Sequence, residues 1–238
     1  MAITTALYLI PVGLSDSPTS QYIPEYNIEI TREIKYFIVE NIRTARRFLK
    51  KCDKSINIDE LTFFELNNHT DLREVESFLL PLSNGHAVGI MSEAGCPAVA
   101  DPGALPVAIA QRKGFKIVPL VGPSSILMAQ MASGFNGQGF SFNGYLPIES
   151  GARVQKIKEL ENEAYRKNMT QIFIETPYRN NKLIDLLVRT LRPETLLCVA
   201  SNITDNNQES IITRSAKQWS KQTYNYDKIP TIFLIYHP

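Results

Sequence analysis

Cysteine is scarce in this 238-residue chain. Cys52, Cys96 and Cys198 are odd in number, far apart and form no C-x-x-C pair, which argues against a disulfide framework and a structural zinc. A reducing cytoplasm is the expected compartment. The three histidines, His69, His86 and His237, stand in unrelated contexts, and no G-x-S-x-G elbow is present, so a hydrolytic triad is set aside. Neither G-x-G-x-x-G nor G-x-x-x-x-G-K-[ST] occurs, which removes the usual warrants for NAD or ATP. The first apolar run, residues 6–12, is too short to span a bilayer and has no basic leader or small-residue cleavage site, so neither membrane association nor export is expected. Charge of one sign is missing as well. With 25 Lys and Arg against 24 Asp and Glu the net charge is +1, and any basic surface must be local.

What remains is an ordinary hydrophobic share, 44%, in a chain long enough for two compact domains. Apolar runs at residues 6–12, 36–40, 61–66, 87–91 and 116–120 read as buried strands. Between them, residues 42–54, 72–82, 105–112 and 126–132 carry helical spacing, while 22–27 reads as a loop. Strand and helix in alternation predict a mostly parallel sheet. A boundary near Val121 gives an N-terminal α/β domain, 1–121, and a C-terminal α/β domain, 122–238. In the second, Gly- and Asn-rich turns at 140–146 precede a charged helix at 153–167. Strands are expected at 171–175, 196–200, 209–213 and 231–236, with a helix at 181–190. That sheet should be mixed.

Two stretches carry chemistry. Residues 92–103, SEAGCPAVADPG, follow a strand and place two glycines around two prolines and two acids. The backbone is thereby turned sharply while Glu93 and Asp101 are left to accept hydrogen bonds. In open parallel sheets ligands gather at the carboxyl ends of strands, so the loop at Val12 and Gly13 should meet this one in space. Ser124 or Ser125 can cap the following helix, whose N-terminus suits an anion. The second stretch is helix 42–54, where Arg43, Arg46, Arg47, Lys50, Lys51 and Lys54 recur at steps of three and four with only Asp53 to oppose them. Such a face is either simply solvated or a phosphate track for RNA. A second basic cluster, Arg153, Lys156, Lys158, Arg166 and Lys167, is diluted by Glu159, Glu161 and Glu163 and reads as solvated.

Residues 92–103 resemble the S-D-A-G-T-P-x-x-S-D-P-G segment of the tetrapyrrole methylase superfamily, and residues 118–125 its V-P-L-P-G-P-S-A. The likeness continues through Ala132-Ser133-Gly134, through residues 142–147 for F-x-G-F-L-P, and through residues 175–179 for E-S-P-H-R. Within that superfamily the chain is most similar to the ribosomal RNA small subunit methyltransferase I branch. The resemblance implies two α/β domains with S-adenosylmethionine (SAM) in the cleft between them, usually in a homodimer. It implies cofactor contacts from Val12, Gly13, Ala94, Gly95, Cys96, Val99, Ser124 and Ser125 in the first domain. From the second it implies Glu175, Ile203, Pro230 and Thr231. No metal or covalent nucleophile is required, because the sulfonium already carries an activated methyl.

The branch's A-E-D-T-R is Val39-Glu40-Asn41-Ile42-Arg43 here, and its R-E-L-T-K-x-x-E loses an Arg, a Glu and a Lys across residues 201–209. The scaffold is therefore closer to the branch than the substrate site is. The leading expectation is methylation of a ribose 2′-hydroxyl in small subunit ribosomal RNA, with Glu40 as the candidate base and the cations of helix 42–54 as the RNA contact. The alternatives are a methylase of a tetrapyrrole or other small molecule, and a SAM-binding protein without catalysis.

Overall fold

The computed structural model describes residues 3–67 and 70–237, with nothing said of the side chain of Leu72; His69 lies outside the described residues. The chain forms two compact units, Met1–Ser124 and Ser125–Pro238. Both are α/β, the first with a parallel five-stranded sheet and the second with a mixed one. No helix among the described residues is long and apolar enough to cross a membrane.

In the first unit β1 (Leu7–Leu9), β2 (Tyr36–Val39), β3 (Thr62–Glu65), β4 (Val88–Met91) and β5 (Ile117–Pro119) lie in the order β3-β2-β4-β1-β5, every pair parallel. Side chains alternate across the sheet. Tyr8, Phe37, Val39 and Met91 face α1 (Glu25–Glu33) and α2 (Ile42–Cys52), meeting Ile30, Ala45 and Leu49. Leu7, Ile38, Val88 and Ile90 face the other way, onto α3 (Leu72–Ser77), α4 (Leu80–Ser83) and α5 (Ala104–Arg112). Burial on both faces is why the inner strands β1, β2 and β4 read as unbroken apolar runs. Burying Leu49 completely contributes about 2 kcal/mol.

Two expectations are corrected in this unit. Helix 72–82 is broken, because Pro81 has no N–H to bond back to Ser77 and its ring crowds that turn. The loop expected at 22–27 runs into α1, whose sequence NIEITREI alternates like a strand. Its buried Asn27 donates to the Val121 carbonyl at 2.6 Å and ties the helix to the segment after β5.

The second unit contains α6 (Ser125–Ser133), β6 (Phe140–Tyr145), α7 (Ser150–Lys167), β7 (Thr170–Ile174), α8 (Asn180–Thr190), β8 (Leu196–Ser201), β9 (Ser210–Ser215), α9 (Ala216–Trp219) and β10 (Thr231–Tyr236). Its sheet runs β6-β7-β10-β8-β9, with β6 and β7 parallel and the other pairs antiparallel. Ile157 and Leu160 of α7, Leu183 and Leu187 of α8, and Trp219 of α9 cover one face. The Trp219 indole donates to the Leu197 carbonyl at 2.9 Å. Within residues 140–146, expected as turns, Phe140–Tyr145 is an edge strand. Their turn-like composition belongs to a bulge, where the register shifts between Phe142 and Tyr145 and the Asn143 side chain bonds across to Ile172.

Candidate active site

Because β1, β2, β4 and β5 are parallel, the segments that follow them leave from one edge of the first sheet. They are stapled together there. The Val12 N–H donates to the Gly95 carbonyl at 2.9 Å, and the Cys96 thiol lies 3.4 Å from the Pro123 carbonyl. Gly95 has φ +72°, a region open to glycine. Gly122 is needed for a different reason, since a Cβ there would lie 2.2 Å from Cβ of Pro11. The meeting of the Val12 loop with residues 92–103 is thus built from backbone contact, with side chains as small as possible.

Residues 97–103 are held by Asp101. Its carboxylate accepts from the Ala98 N–H at 3.0 and 2.9 Å and from the Gly103 N–H at 2.6 Å. Burial pushes its pKa up, and these bonds oppose the shift. The turn needs such an anchor, because Ala98 (φ 66°) and Ala100 (φ 59°) both stand in the left-handed region, at about 1 to 2 kcal/mol each. Asp101 is therefore committed to its own loop.

Glu40 ends β2 half-buried and accepts from the Glu93 N–H at 3.2 Å. Burial, and after it the neighbouring Asp101 and Glu93 carboxylates, raise its pKa, while the bond from Glu93 opposes them. Glu93 in turn accepts from the Thr44 hydroxyl in the first turn of α2. Asn41, which stands in place of the branch's acid, caps α2 by accepting from the Arg43 and Thr44 N–H groups at 2.9 and 3.3 Å. The N-cap rule applied to Asn41 could have found this from sequence. A cavity of about 220 Å³ opens between the Val12–Gly13 loop, α2 and Glu93. Thr44, Tyr22 and Phe48, which line it, carried no sequence motif.

Helix α2 ends at Cys52 rather than at 54, where Asp53 turns the backbone extended, so five of the six cations lie on it and Lys54 follows. All six are exposed, while Ala45 and Leu49 point into the core. Among the described residues none of the six has a carboxylate within 4.0 Å. Asp53 is withdrawn from them: it bonds the Ser55 N–H at 2.8 Å and pairs with Arg32 of α1. Those bonds, the Ser55 contacts first, hold its pKa down to about 2. Arg46 lies over the Phe63 ring at 5.4 Å, and Lys51 donates to the Asp16 carbonyl at 2.9 Å.

In the second unit Glu175, Ile203, Pro230 and Thr231 come to one edge of the sheet. Thr231 pairs with Ser201, Ile232 with Ile174, and the Asn202 N–H donates to the Pro230 carbonyl at 3.0 Å. The Glu175 carboxylate is buried and occupied. It accepts from the Thr176 N–H at 2.7 Å and lies 3.5 Å from Arg153 and 3.7 Å from Arg179. Ser124 closes the segment after β5 and Ser125 opens α6; Ala94 and Val99 lie exposed on the loop after β4.

No protein family model matches the chain. Among curated proteins, the ribosomal RNA small subunit methyltransferase I of Vibrio cholerae is 28% identical over 198 residues, 83% of this chain and 65% of that protein. The protein of the same name in Pasteurella multocida is 30% identical over 176 residues, 73% of this chain and 61% of that protein. The chain thus spans just under two thirds of the length of these relatives. Among solved structures, that of the methyltransferase CobJ superposes with a TM-score of 0.64 at 16% identity, covering 98% of this chain and 94% of that one.

Proposed function

We propose that this chain, a relative of the ribosomal RNA small subunit methyltransferase I proteins with the fold of the methyltransferase CobJ, transfers a methyl group from SAM to a ribose 2′-hydroxyl of small subunit ribosomal RNA. The observation that carries the RNA part is the α2 face. Six cations, five on α2 and Lys54 just beyond it, have no carboxylate within 4.0 Å among the described residues. Two of them, Arg47 and Lys51, line the cavity beside the Val12–Gly13 loop, and cations spaced along a helix without carboxylate partners are what a phosphate backbone requires.

The loops suit a compact sulfonium cofactor. Gly13, Ala94 and Gly95 present backbone with no side chain beyond a Cβ, so a ligand can approach closely. Cys96 follows Gly95 in this loop, and burial raises its thiol pKa, which disfavours the thiolate that would compete for an electrophilic methyl. Val12, Gly13, Ala94, Gly95, Cys96, Val99, Ser124 and Ser125 are the proposed cofactor residues of the first unit. The second unit presents its own group, Glu175, Ile203, Pro230 and Thr231. Bound SAM would supply the methyl, its carbon–sulfur bond breaking as the carbon–oxygen bond forms.

The 2′-hydroxyl must lose its proton in that step. Glu40 is the proposed acceptor, because a carboxylate held above its ordinary pKa is a stronger base. The Glu93 N–H keeps Glu40 in place. A homodimer is part of the same reading, and light scattering at micromolar concentration should return the mass of two chains.

The test is transfer of labelled methyl from SAM to purified small subunits from cells lacking this gene, followed by mapping of the modified ribose. Label in one nucleotide is expected. Binding of S-adenosylhomocysteine without any transfer to RNA would reduce the reading to cofactor binding alone.

A further inference from the structure

We infer that the cavity beside α2 is the acceptor subsite and takes one unstacked nucleotide of single-stranded RNA. This rests on the proposed RNA methylation and names the part of the chain that reads the acceptor.

Size is the first argument. At about 220 Å³, the cavity is below the roughly 300 to 1,000 Å³ of sites that enclose a drug-sized ligand. It does not enclose a whole cofactor or a macrocycle. One base, or one sugar phosphate, fits with the rest of the strand left outside. A base paired in a duplex could not reach it, so the acceptor must be unpaired or flipped out.

The lining is bipolar. Arg47 and Lys51, one turn apart on α2, supply cations, and Thr44 and Glu93 supply a hydroxyl and a carboxylate. Thr44 and Lys51 are seven residues apart, about 10 Å along the helix, the scale of one nucleoside monophosphate. A phosphate belongs at the Lys51 end, and ribose hydroxyls or a base amino group belong at the Glu93 end. Asp16 also lines the cavity. Its carbonyl is the group that accepts from Lys51, which fixes that ammonium at the rim. A plain anion site would have no use for two carboxylates, and an apolar substrate would have none for two cations.

Two aromatic side chains, Tyr22 and Phe48, complete the wall, and stacking on such rings holds a base without regard to its identity. Glu40, the proposed base, does not line the cavity but accepts from the N–H of Glu93, which does. Val12 and Gly13 line the cavity, and Val12 is bonded to Gly95 of the cofactor loop. The remaining cations, Arg43, Arg46 and Lys50 on the same helix and Lys54 just past its end, are exposed, where they would hold the flanking phosphates.

The experiment uses the full ¹⁵N-labelled chain. The four nucleoside 5′-monophosphates are titrated singly, with inorganic phosphate as the control, while the amides of Ser15, Thr44 and Glu93 are followed. At least one nucleotide should shift these amides with a Kd in the millimolar range. The double variant Arg47→Ser, Lys51→Ser should weaken that binding about tenfold, as expected for two charge-assisted contacts. Phe48→Leu should weaken the nucleotide but not phosphate. Equal shifts from phosphate and from every nucleotide, shifts confined to other residues, or unchanged binding by the double variant would each overturn the subsite. If it is overturned while labelled methyl still reaches ribosomal RNA, the proposed function stands. If nucleotides bind as expected and no RNA is ever methylated, the function falls and the nucleotide site remains.

Discussion

Helices α2 and α7 are both rich in cations, yet they use them in opposite ways. On α7, Lys156 lies 3.8 Å from Glu159, Lys167 lies 3.2 Å from Glu163, and the largely buried Arg153 lies against Glu175 while donating to the Pro147 carbonyl at 2.6 Å. Even Glu161 is turned inward, accepting from the Arg192 N–H and the Thr195 hydroxyl. On α2 no such pairing exists among the described residues, and Asp53, the acid within the basic run, is held by Arg32. A count of basic residues would rank the two helices as similar. Whether each charge already has a partner separates a helix whose cations are spent on structure from one whose cations are left free for a phosphate backbone.

The comparison can be broken first at Arg153. Arg153→Met leaves the Glu175 carboxylate buried without its main cation and should cost about 3 to 5 kcal/mol in urea unfolding. It should leave the salt dependence of RNA binding unchanged, and adding Glu175→Leu should recover much of the loss. On α2 the reverse is expected. Arg46→Glu, Arg47→Glu and Lys50→Glu together should lower affinity for ribosomal RNA on the order of a hundredfold and make the log–log salt slope shallower by about 2, at about 0.7 per phosphate on a single strand. Stability should barely move. Reversal of Lys156, Lys158 and Lys167 on α7 is the matched control, and an equal loss there would erase the distinction.

The N-caps give a smaller effect. Both helices start from a side-chain cap, Asn41 on α2 and Glu149 on α7. Asn41→Ala should cost about 1 kcal/mol, whereas Asn41→Asp should be neutral by thermal melting. The smallest effect is a pH dependence at Glu40. Its pKa is raised in the folded state above the ordinary 4.5, so the folded chain holds that proton more tightly than the unfolded one. The resulting penalty is absent below the unfolded value and complete above the folded value. Glu40→Gln should therefore raise Tm at pH 8, with the gain fading as pH falls through the raised value toward 4.5.

Much of the first sheet was legible because its inner strands are buried on both faces and stand out as apolar runs, and the order of the loops followed from parallel connectivity. Residues 92–103 announced themselves through glycine and proline. Illegible were α1, whose buried Ile28 and Ile30 alternate with polar neighbours, and β6, whose Asn143 and Gly144 look like a turn because the strand bulges there. Of the site, Gly95 could be read as a turn and Asp101 as a hydrogen-bond acceptor, but their partners could not. Asp101 is bound to its own loop, and Glu175, expected at the cofactor, has its carboxylate occupied by Arg153, Arg179 and Thr176.

Local composition and periodicity alone determined that the chain is α/β, that a glycine- and proline-bounded loop follows a central strand, and that α2 carries a basic face. These properties depend on neighbours within a few residues, which is the range over which backbone propensity and helical spacing act. Only the tertiary structure decided which charges are partnered, which carboxylate turns toward the cavity, and that Thr44, Tyr22 and Phe48 share its wall with Lys51. Those facts depend on residues from separate strands and helices converging at one edge of a sheet, and no local pattern in the chain encodes that distance.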